Sequence, residues 1–337
     1  MIKKLLVLMF IIIGAVAGGY FYIEKQVDLY IDQPLSITKP EIITIKSGSS
    51  FQTVLSKFES SGWVNQSQYT KLVRRFRPEL TKVKAGTFLV QPGISLSDAI
   101  VFISKGKEHQ FTITFVEGSR FTEWRTTLAE ADSLQHEITD LSESEIAIKL
   151  GIEHEKLEGL FLAETYHYTA GMSDLDILKR SHQNLNTVLN QAWEKRQKEL
   201  PIKTPYEALI LASIIEKETA VEEERTKVSS VFVNRLNRRM RLQTDPTVIY
   251  GMGDKYKGNI RKKDLQTATP YNTYTINGLP PTPIAMTGKA SVDAALNPDK
   301  TRYLYFVASG KGGHVFSKSL KEHNRAVQNY LKQLRKK

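Results

Sequence analysis

Residues 208–215 are apolar at every position except Ser213, and Glu216, Lys217 and Glu218 follow at once. A helix that is apolar on all sides is a buried helix, so this stretch belongs inside a folded core and delivers carboxylates to its edge. The start is well marked: Thr204 stands where a cap belongs, Pro205 fits the first turn, and Glu207 complements the helix dipole. Burial disfavours the charged form of a carboxyl and raises its pKa, which is how a general acid is kept protonated near neutral pH. Leu211, Ile214 or Ile215, and Glu218 share one face, whereas Glu216 follows Leu209 and Ala212 on a neighbouring face. Glu218 thus prolongs an apolar stripe and is the better candidate for a desolvated carboxyl. The same residues also allow a plain charged helix end, continued by Glu222, Glu223 and Glu224.

The 337 residues suit two modest domains with additions. A hydrophobic content of 41% against 25% charged residues is ordinary for a globular chain and argues against general disorder. The formal net charge of +11 favours anionic partners. The absence of cysteine excludes disulfides, thiolate metal sites and a cysteine nucleophile. Lys3 and Lys4 precede an uncharged run over residues 5–23, just long enough at ~1.5 Å per residue for a ~30 Å hydrocarbon core. Charge before the span places the N-terminus in the cytoplasm and the remainder outside. Ala15-Val16-Ala17 resembles a signal-peptide cleavage site, but Tyr20, Phe21, Tyr22 and Ile23 continue beyond it as an interfacial belt would, so a retained anchor is the expectation. An exported chain does not meet nucleic acid, which leaves phospholipid headgroups or an acidic polymer as the anionic partner.

A local pattern then repeats. Ile42-Ile43-Thr44-Ile45 and Phe88-Leu89-Val90 each read as a strand, followed by a glycine turn, a serine at a cap position (Ser50, Ser95) and an apolar helix start. Phe111 to Val116 with Gly118 is a weaker echo. The stretch from Ile42 to Lys107 resembles a LysM-like module, a small βααβ unit that binds the N-acetylhexosamine backbone of peptidoglycan. Residues 120–150 read as helical, with Trp124, Leu128 and Leu134 in the core, and 174–200 as a long polar-faced helix. Between them Glu158, Glu164, Tyr166 and Tyr168 mix rings with carboxylates, as a sugar cleft or a core with wet ends would.

After residue 205 the chain resembles a known family. Ala212-Ser213-Ile214-Ile215-Glu216-Lys217-Glu218-Thr219 is similar to the signature of the YceG-like (MltG) endolytic murein transglycosylases. In order there follow KVSSVFVNRL (227–236), MRLQTDPTVIYG (240–251), YNTY (271–274), GLPP (278–281) and GKGGH (310–314). One departure lies at Phe161-Leu162-Ala163-Glu164-Thr165-Tyr166, where the family usually has Pro-Asp-Thr-Tyr. The resemblance implies cleavage of the β-1,4 bond between N-acetylmuramic acid and N-acetylglucosamine within nascent strands, without water. It also implies that Glu218 is the single catalytic acid, protonating the glycosidic oxygen and then taking the proton of the muramic C6 hydroxyl as the 1,6-anhydro ring closes. Because the sugar supplies its own nucleophile, no second carboxylate is needed, unlike the paired-acid hydrolases.

The expected fold is α+β: residues 1–25 a cytoplasmic tip and transmembrane anchor, 26–40 a linker, 41–108 the LysM-like module, and 109–337 a mixed α/β catalytic domain around a buried helix. Glu216, Asn234, Gln243, Thr244, Asp245, Tyr271 and Asn272 are the expected substrate-binding residues, by motif position. Pro280, Pro281 and Pro283 stiffen a loop, and His314 sits at the end of a hairpin as a structural histidine. Leu320, Val327, Leu331 and Leu334 predict an amphipathic C-terminal cover. No metal or cofactor is expected, since Gly310-Lys311-Gly312 lacks P-loop spacing and His154-Glu155 has Glu158 where a zincin has its second histidine. Partners implied by the resemblance are peptidoglycan strands, the inner membrane and its glycan-polymerising synthases (penicillin-binding proteins). The rival class is a membrane-tethered glycan-binding scaffold without catalysis.

Overall fold

A computed structural model describes residues 2–335, and the chain divides into two compact units, Met1–Phe111 and Thr112–Lys337. In the first unit α1 (Ile2–Ile31) is one continuous helix of 30 residues, long and apolar enough to cross a membrane by length and composition. It exceeds what a ~30 Å hydrocarbon layer requires. Its last turns have a different job: Val27, Tyr30 and Ile31 are buried with Leu55, Phe58 and Phe88 in the core of this unit. Arg77 bridges Asp28 at 2.6 Å and Glu24 at 3.2 Å, and the Tyr30 hydroxyl donates to Glu59 at 2.8 Å.

The expected linker over 26–40 is therefore corrected. Val27, Tyr30 and Ile31 follow i, i+3, i+4 spacing and carry the helix into the core, while Asp28 on the same helix faces Arg77. Beyond the helix, Leu35 N–H donates to Ile94 O at 2.9 Å and Ser36 N–H to Trp63 O at 2.7 Å, so this stretch is tied down as well. Tyr30→Phe is expected to cost about 1 kcal/mol of this unit's stability, measured by denaturant unfolding; a free linker would show no change.

The rest of the first unit is a strand–helix alternation. β1 (Glu41–Ile45) leads to α2 (Phe51–Ser60), the single turn α3 (Val73–Phe76), β2 (Gly86–Val90) and α4 (Leu96–Lys105). The two strands pair antiparallel, from Glu41 with Val90 to Ile45 with Gly86. Ser50 and Ser95 cap their helices by accepting the N–H of Thr53 and Asp98, at 3.1 Å each.

The second unit is mixed α/β and mostly helical. Its elements are β3 (Phe111–Thr114), α5 (Phe121–Ala129), α6 (Glu143–Leu150), β4 (Thr165–Tyr168), α7 (Asp174–Glu194), α8 (Pro205–Glu218), α9 (Arg225–Asn237), α10 (Asp245–Met252), α11 (Lys262–Gln266), α12 (Lys289–Leu296), β5 (Tyr305–Ala308), β6 (His314–Ser317) and α13 (Leu320–Leu334). β3 pairs with β4, and β5 with β6 as an antiparallel hairpin running from Tyr305 opposite Ser317 to Ala308 opposite His314. α8 is the hub, packed by α7, α9, α10 and α12, with every residue from Ala208 to Ile215 buried.

Three expectations change here. The 120–150 stretch is two helices, because Ser142 starts α6 with a capping box and Ser133 takes a positive φ of 60° in the intervening turn. Trp124, Leu128 and Leu134 are nonetheless all buried, Trp124 stacking on Phe115 at 3.7 Å between ring centroids. α7 ends at Glu194, short of residue 200. The apolar stripe of α13 lies against β5 and β6 but is not buried: Leu320 remains 56% exposed, because a hairpin of two four-residue strands is too small to cover fifteen helical residues.

Candidate active site

The site is built at the C-terminal end of α8. Thr204 caps the helix by accepting the Glu207 N–H at 3.1 Å, and Pro205 occupies its first turn. At the other end Thr219 is extended (φ −146°, ψ 132°), so Glu218 is the last helical residue. Its half-buried side chain enters a cavity of about 350 Å³ that also receives Arg235 and Phe232 from α9, Gln243, Asp245 and Tyr274. Tyr305 and His323 close one side.

Thr244 reaches Glu218 directly, its hydroxyl donating to Oε1. Thr244 is held by other threonines: its N–H donates to Thr273 Oγ1 at 3.1 Å, and its carbonyl accepts the Thr247 hydroxyl at 2.7 Å. All three are buried. Gln243 takes a positive φ of 50°, which is uncommon for a residue with a side chain. Its N–H bonds Thr273 O at 3.2 Å, and its Oε1 accepts from Arg235 at 3.3 Å. This strained corner turns Thr244 and Asp245 toward Glu218.

Arg235 braces the wall. Its guanidinium donates to the carbonyls of Leu304 (2.7 Å), Arg241 (3.1 Å) and Leu242 (2.8 Å), and it lies 5.0 Å from the centre of the Tyr305 ring. Tyr274 donates its hydroxyl to Asp245 Oδ1 at 2.6 Å. Burial pushes the Glu218 carboxyl up to about 7; the Thr244 hydroxyl draws it down, the charge of Asp245 raises it, and His314 and Arg235 lower it. A carboxyl poised near 7 gives up and takes back a proton with equal ease at neutral pH. Because Thr244 donates to Oε1, the acidic proton of the neutral carboxyl is assigned to Oε2.

The other expected residues are placed differently. Glu216 turns away from the cavity: its Oε2 accepts the Gly288 N–H at the start of α12 at 3.1 Å, and its Oε1 lies 3.8 Å from Arg225, which also faces Glu117. It clamps α8 to α12. Asn234 donates to the carbonyls of Thr301 and Tyr303 and lines a separate depression with Asp299 and Arg302. Tyr271 shares a hydrogen bond with Thr282 and meets Tyr250 edge-on. Asn272 is buried and spends its amide on the carbonyls of Asp264, Leu265 and Thr267. Glu216, Asn234, Tyr271 and Asn272 thus bond to their own framework, and none of the four lines the Glu218 cavity. His314 is likewise structural in its bonds: Glu224 accepts both its N–H (2.9 Å) and its ring Nδ1 (2.8 Å). Gly313 makes room for this, since a Cβ there would lie 2.4 Å from a Glu224 oxygen.

Arg235, Tyr274, Tyr305 and His323 escaped the sequence reading. Arg235 left a signal as a cation in an otherwise uncharged helix stretch from Val228 to Leu236, and Tyr274 as the last residue of the YNTY block. A second carboxyl, Glu158, is also pushed up to about 7 by burial. It is enclosed and accepts the Phe121 N–H at 3.1 Å, fixing the start of α5. Among the described residues no group of three or more His, Cys, Asp or Glu is placed to hold a metal ion.

Known proteins share this arrangement of sequence. The sequence profile of the YceG-like family matches residues 43–329. An endolytic murein transglycosylase of Bacillus subtilis (strain 168) is 32% identical over 336 residues, covering 94% of this chain and 91% of that protein. A protein of the same name from Streptococcus pneumoniae serotype 2 is 25% identical over 94% of this chain, which spans 63% of that longer relative. The crystal structure of a YceG-like protein from Listeria monocytogenes superposes with a TM-score of 0.54 at 29% identity, covering 85% of this chain and 98% of that one. With the matched region running from β1 into α13 and taking in Glu218 and the cavity around it, the chain belongs to the YceG-like family.

Proposed function

We propose that this chain is an endolytic murein transglycosylase in which Glu218 is both acid and base. The observation that carries the reading is the Glu218 carboxyl itself, at the end of a buried helix, oriented by Thr244 and raised to about 7. Protonated Oε2 gives its proton to the glycosidic oxygen as the muramyl C1–O bond breaks. The resulting carboxylate then takes the proton from the C6 hydroxyl while that oxygen bonds to C1, leaving a 1,6-anhydro end and a carboxyl restored to its starting state. Arg235 and Thr244 favour the charged form between the two steps.

The first unit is assigned as anchor and LysM-like glycan-binding module, supported by α1, by Lys3 and Lys4 ahead of its apolar run, and by the β1–α2–α3–β2 order. The charge rule places the N-terminus in the cytoplasm and the Thr112–Lys337 unit outside as catalytic domain. Substrate there is nascent peptidoglycan made by the membrane's glycan-polymerising synthases, the partner class this reading assigns.

Incubation of the purified chain with high-molecular-weight glycan tests the assignment. Soluble fragments of mixed internal length are expected; co-sedimentation of intact glycan with no fragments would instead identify a binding scaffold.

Two substitutions probe the poise of Glu218 in opposite directions. Asp245→Asn removes a charge that raises the Glu218 pKa, so the alkaline limb of kcat/KM against pH is expected to move down. Thr244→Val removes a hydrogen bond that lowers it, so the limb moves up. Shifts in one direction for both variants would contradict the assignment of that limb to Glu218.

A further inference from the structure

The family motif at Tyr271 and Asn272 is spent on building something other than the cleft. Asn272 ties together the carbonyls of Asp264, Leu265 and Thr267, and Gly251 lets this loop lie on α10, where a Cβ would come within 2.9 Å of Thr269 Oγ1. Between the loop and α10 is a cavity of about 320 Å³. Its rim carries Lys255, Lys257, Arg261 and Lys263, with Asn259 and one carboxylate, Asp264. Asp264 is already engaged by the Arg261 backbone N–H at 2.8 Å. Among the described residues none of these four cations pairs with a carboxylate. A concave site lined by charge of one sign concentrates the opposite charge.

We propose that this basic cavity binds the carboxylates of the peptide stem carried by the muramic acid residues of the glycan. The proposal rests on the reading of the chain as an enzyme of peptidoglycan. α10 joins the two places: Asp245, at its start, lines the Glu218 cavity, and Val248, Gly251 and Met252 line the basic one. Asp245 and Met252 are the two ends of this eight-residue helix, roughly 10 Å apart along its axis. A stem of three or more residues, extended at ~3.3–3.6 Å each, covers that span. Its D-glutamyl and C-terminal carboxylates then meet ammonium and guanidinium groups. An anionic membrane surface suits the site less well, because the large exposed apolar side chains of this unit, such as Val116, Ile148, Val315 and Leu320, do not belong to residues 245–272.

The test uses the full chain in detergent carrying Glu218→Gln, so that glycan is bound without being cleaved. Two oligosaccharides of equal length are compared, one bearing stems and one stripped of them by an amidase. Stem-bearing glycan is expected to bind about fivefold more tightly at ~0.1 M salt, an advantage that fades as salt rises. Adding Lys257→Glu and Arg261→Glu, both exposed, is expected to bring the ratio to one with an unchanged melting temperature. Equal affinity for the two glycans before charge reversal, or a ratio that survives it, overturns the proposal. So does a charge reversal that leaves the ratio intact and abolishes binding to phosphatidylglycerol vesicles, which would identify a membrane contact. Product release by the wild-type chain on the same glycans is scored separately. Products formed with a ratio of one remove only the stem site, whereas no binding and no products remove the enzyme reading with it.

Discussion

Glu218→Gln is expected to lower the rate of glycan cleavage by about 10²–10⁴, to near background, while making the protein more stable above neutral pH. Glutamine keeps the shape and still accepts the Thr244 hydroxyl, but it has no acidic proton to give. The stability effect follows from the same pKa. Glu218 rises from an ordinary 4.5 to about 7 in the folded chain, so the native state binds more protons than the unfolded state between those values. That contribution is complete below the unfolded pKa and is lost as pH climbs through 7. At pH 8 wild type carries a charge in a poorly solvated place, at a cost of about 2 kcal/mol once partial solvation is allowed for. The glutamine variant should therefore melt several degrees higher than wild type at pH 8 and close to it at pH 5. Thermal melts at the two pH values check the sign; an equal offset at both would mean that Glu218 is not desolvated.

Arg235→Met is expected to destabilise the Thr112–Lys337 unit by about 3–5 kcal/mol, a large share of the ~5–15 kcal/mol available to a domain. Methionine replaces the aliphatic stem but not the donors. The carbonyls of Leu304, Arg241 and Leu242 lose their partner, and each charge-assisted bond of this kind contributes about 1.5–3 kcal/mol. The loss is local to the cleft, because Leu242 and Gln243 lead into Thr244 while Leu304 leads into Tyr305, which also lines the cavity. Arg235→Lys should recover part of the stability, since an ammonium reaches only some of these carbonyls. Denaturant unfolding at constant slope is the measurement, and a cost below about 1 kcal/mol for Arg235→Met would show that the bonds are replaceable by water.

Much of the frame was legible because it rests on local rules. The apolar run of α8 and its Thr204 cap, the serine caps of α2 and α4, and the β5–β6 hairpin all follow from neighbours in the chain. Periodicity also separated Glu218, which extends an apolar stripe, from Glu216, which lies on another face and is bonded to Gly288. What spacing does not reveal is which partner a polar side chain chooses across the chain. Asn272 and Asn234 are equally able to meet a sugar or a carbonyl, and both turn to carbonyls. Arg235 takes its meaning from Leu304, 69 positions away. The mixed composition after residue 26 and Pro34 made this stretch look like a linker, yet the helix continues to Ile31 because Val27, Tyr30 and Ile31 find a core.

In the proposed reaction one carboxyl serves both steps, and the sugar, not water, closes the ring. Asp245 shares the cavity and is the carboxylate a hydrolase would use to activate water, so the claim can fail at a named residue. Digestion of purified glycan in water enriched in oxygen-18, followed by mass spectrometry of the new muramic ends, tests it most directly. Wild type is expected to leave ends one water lighter than a reducing sugar with no heavy oxygen incorporated, and Glu218→Gln to leave no such ends. Reducing ends carrying one heavy oxygen would contradict it.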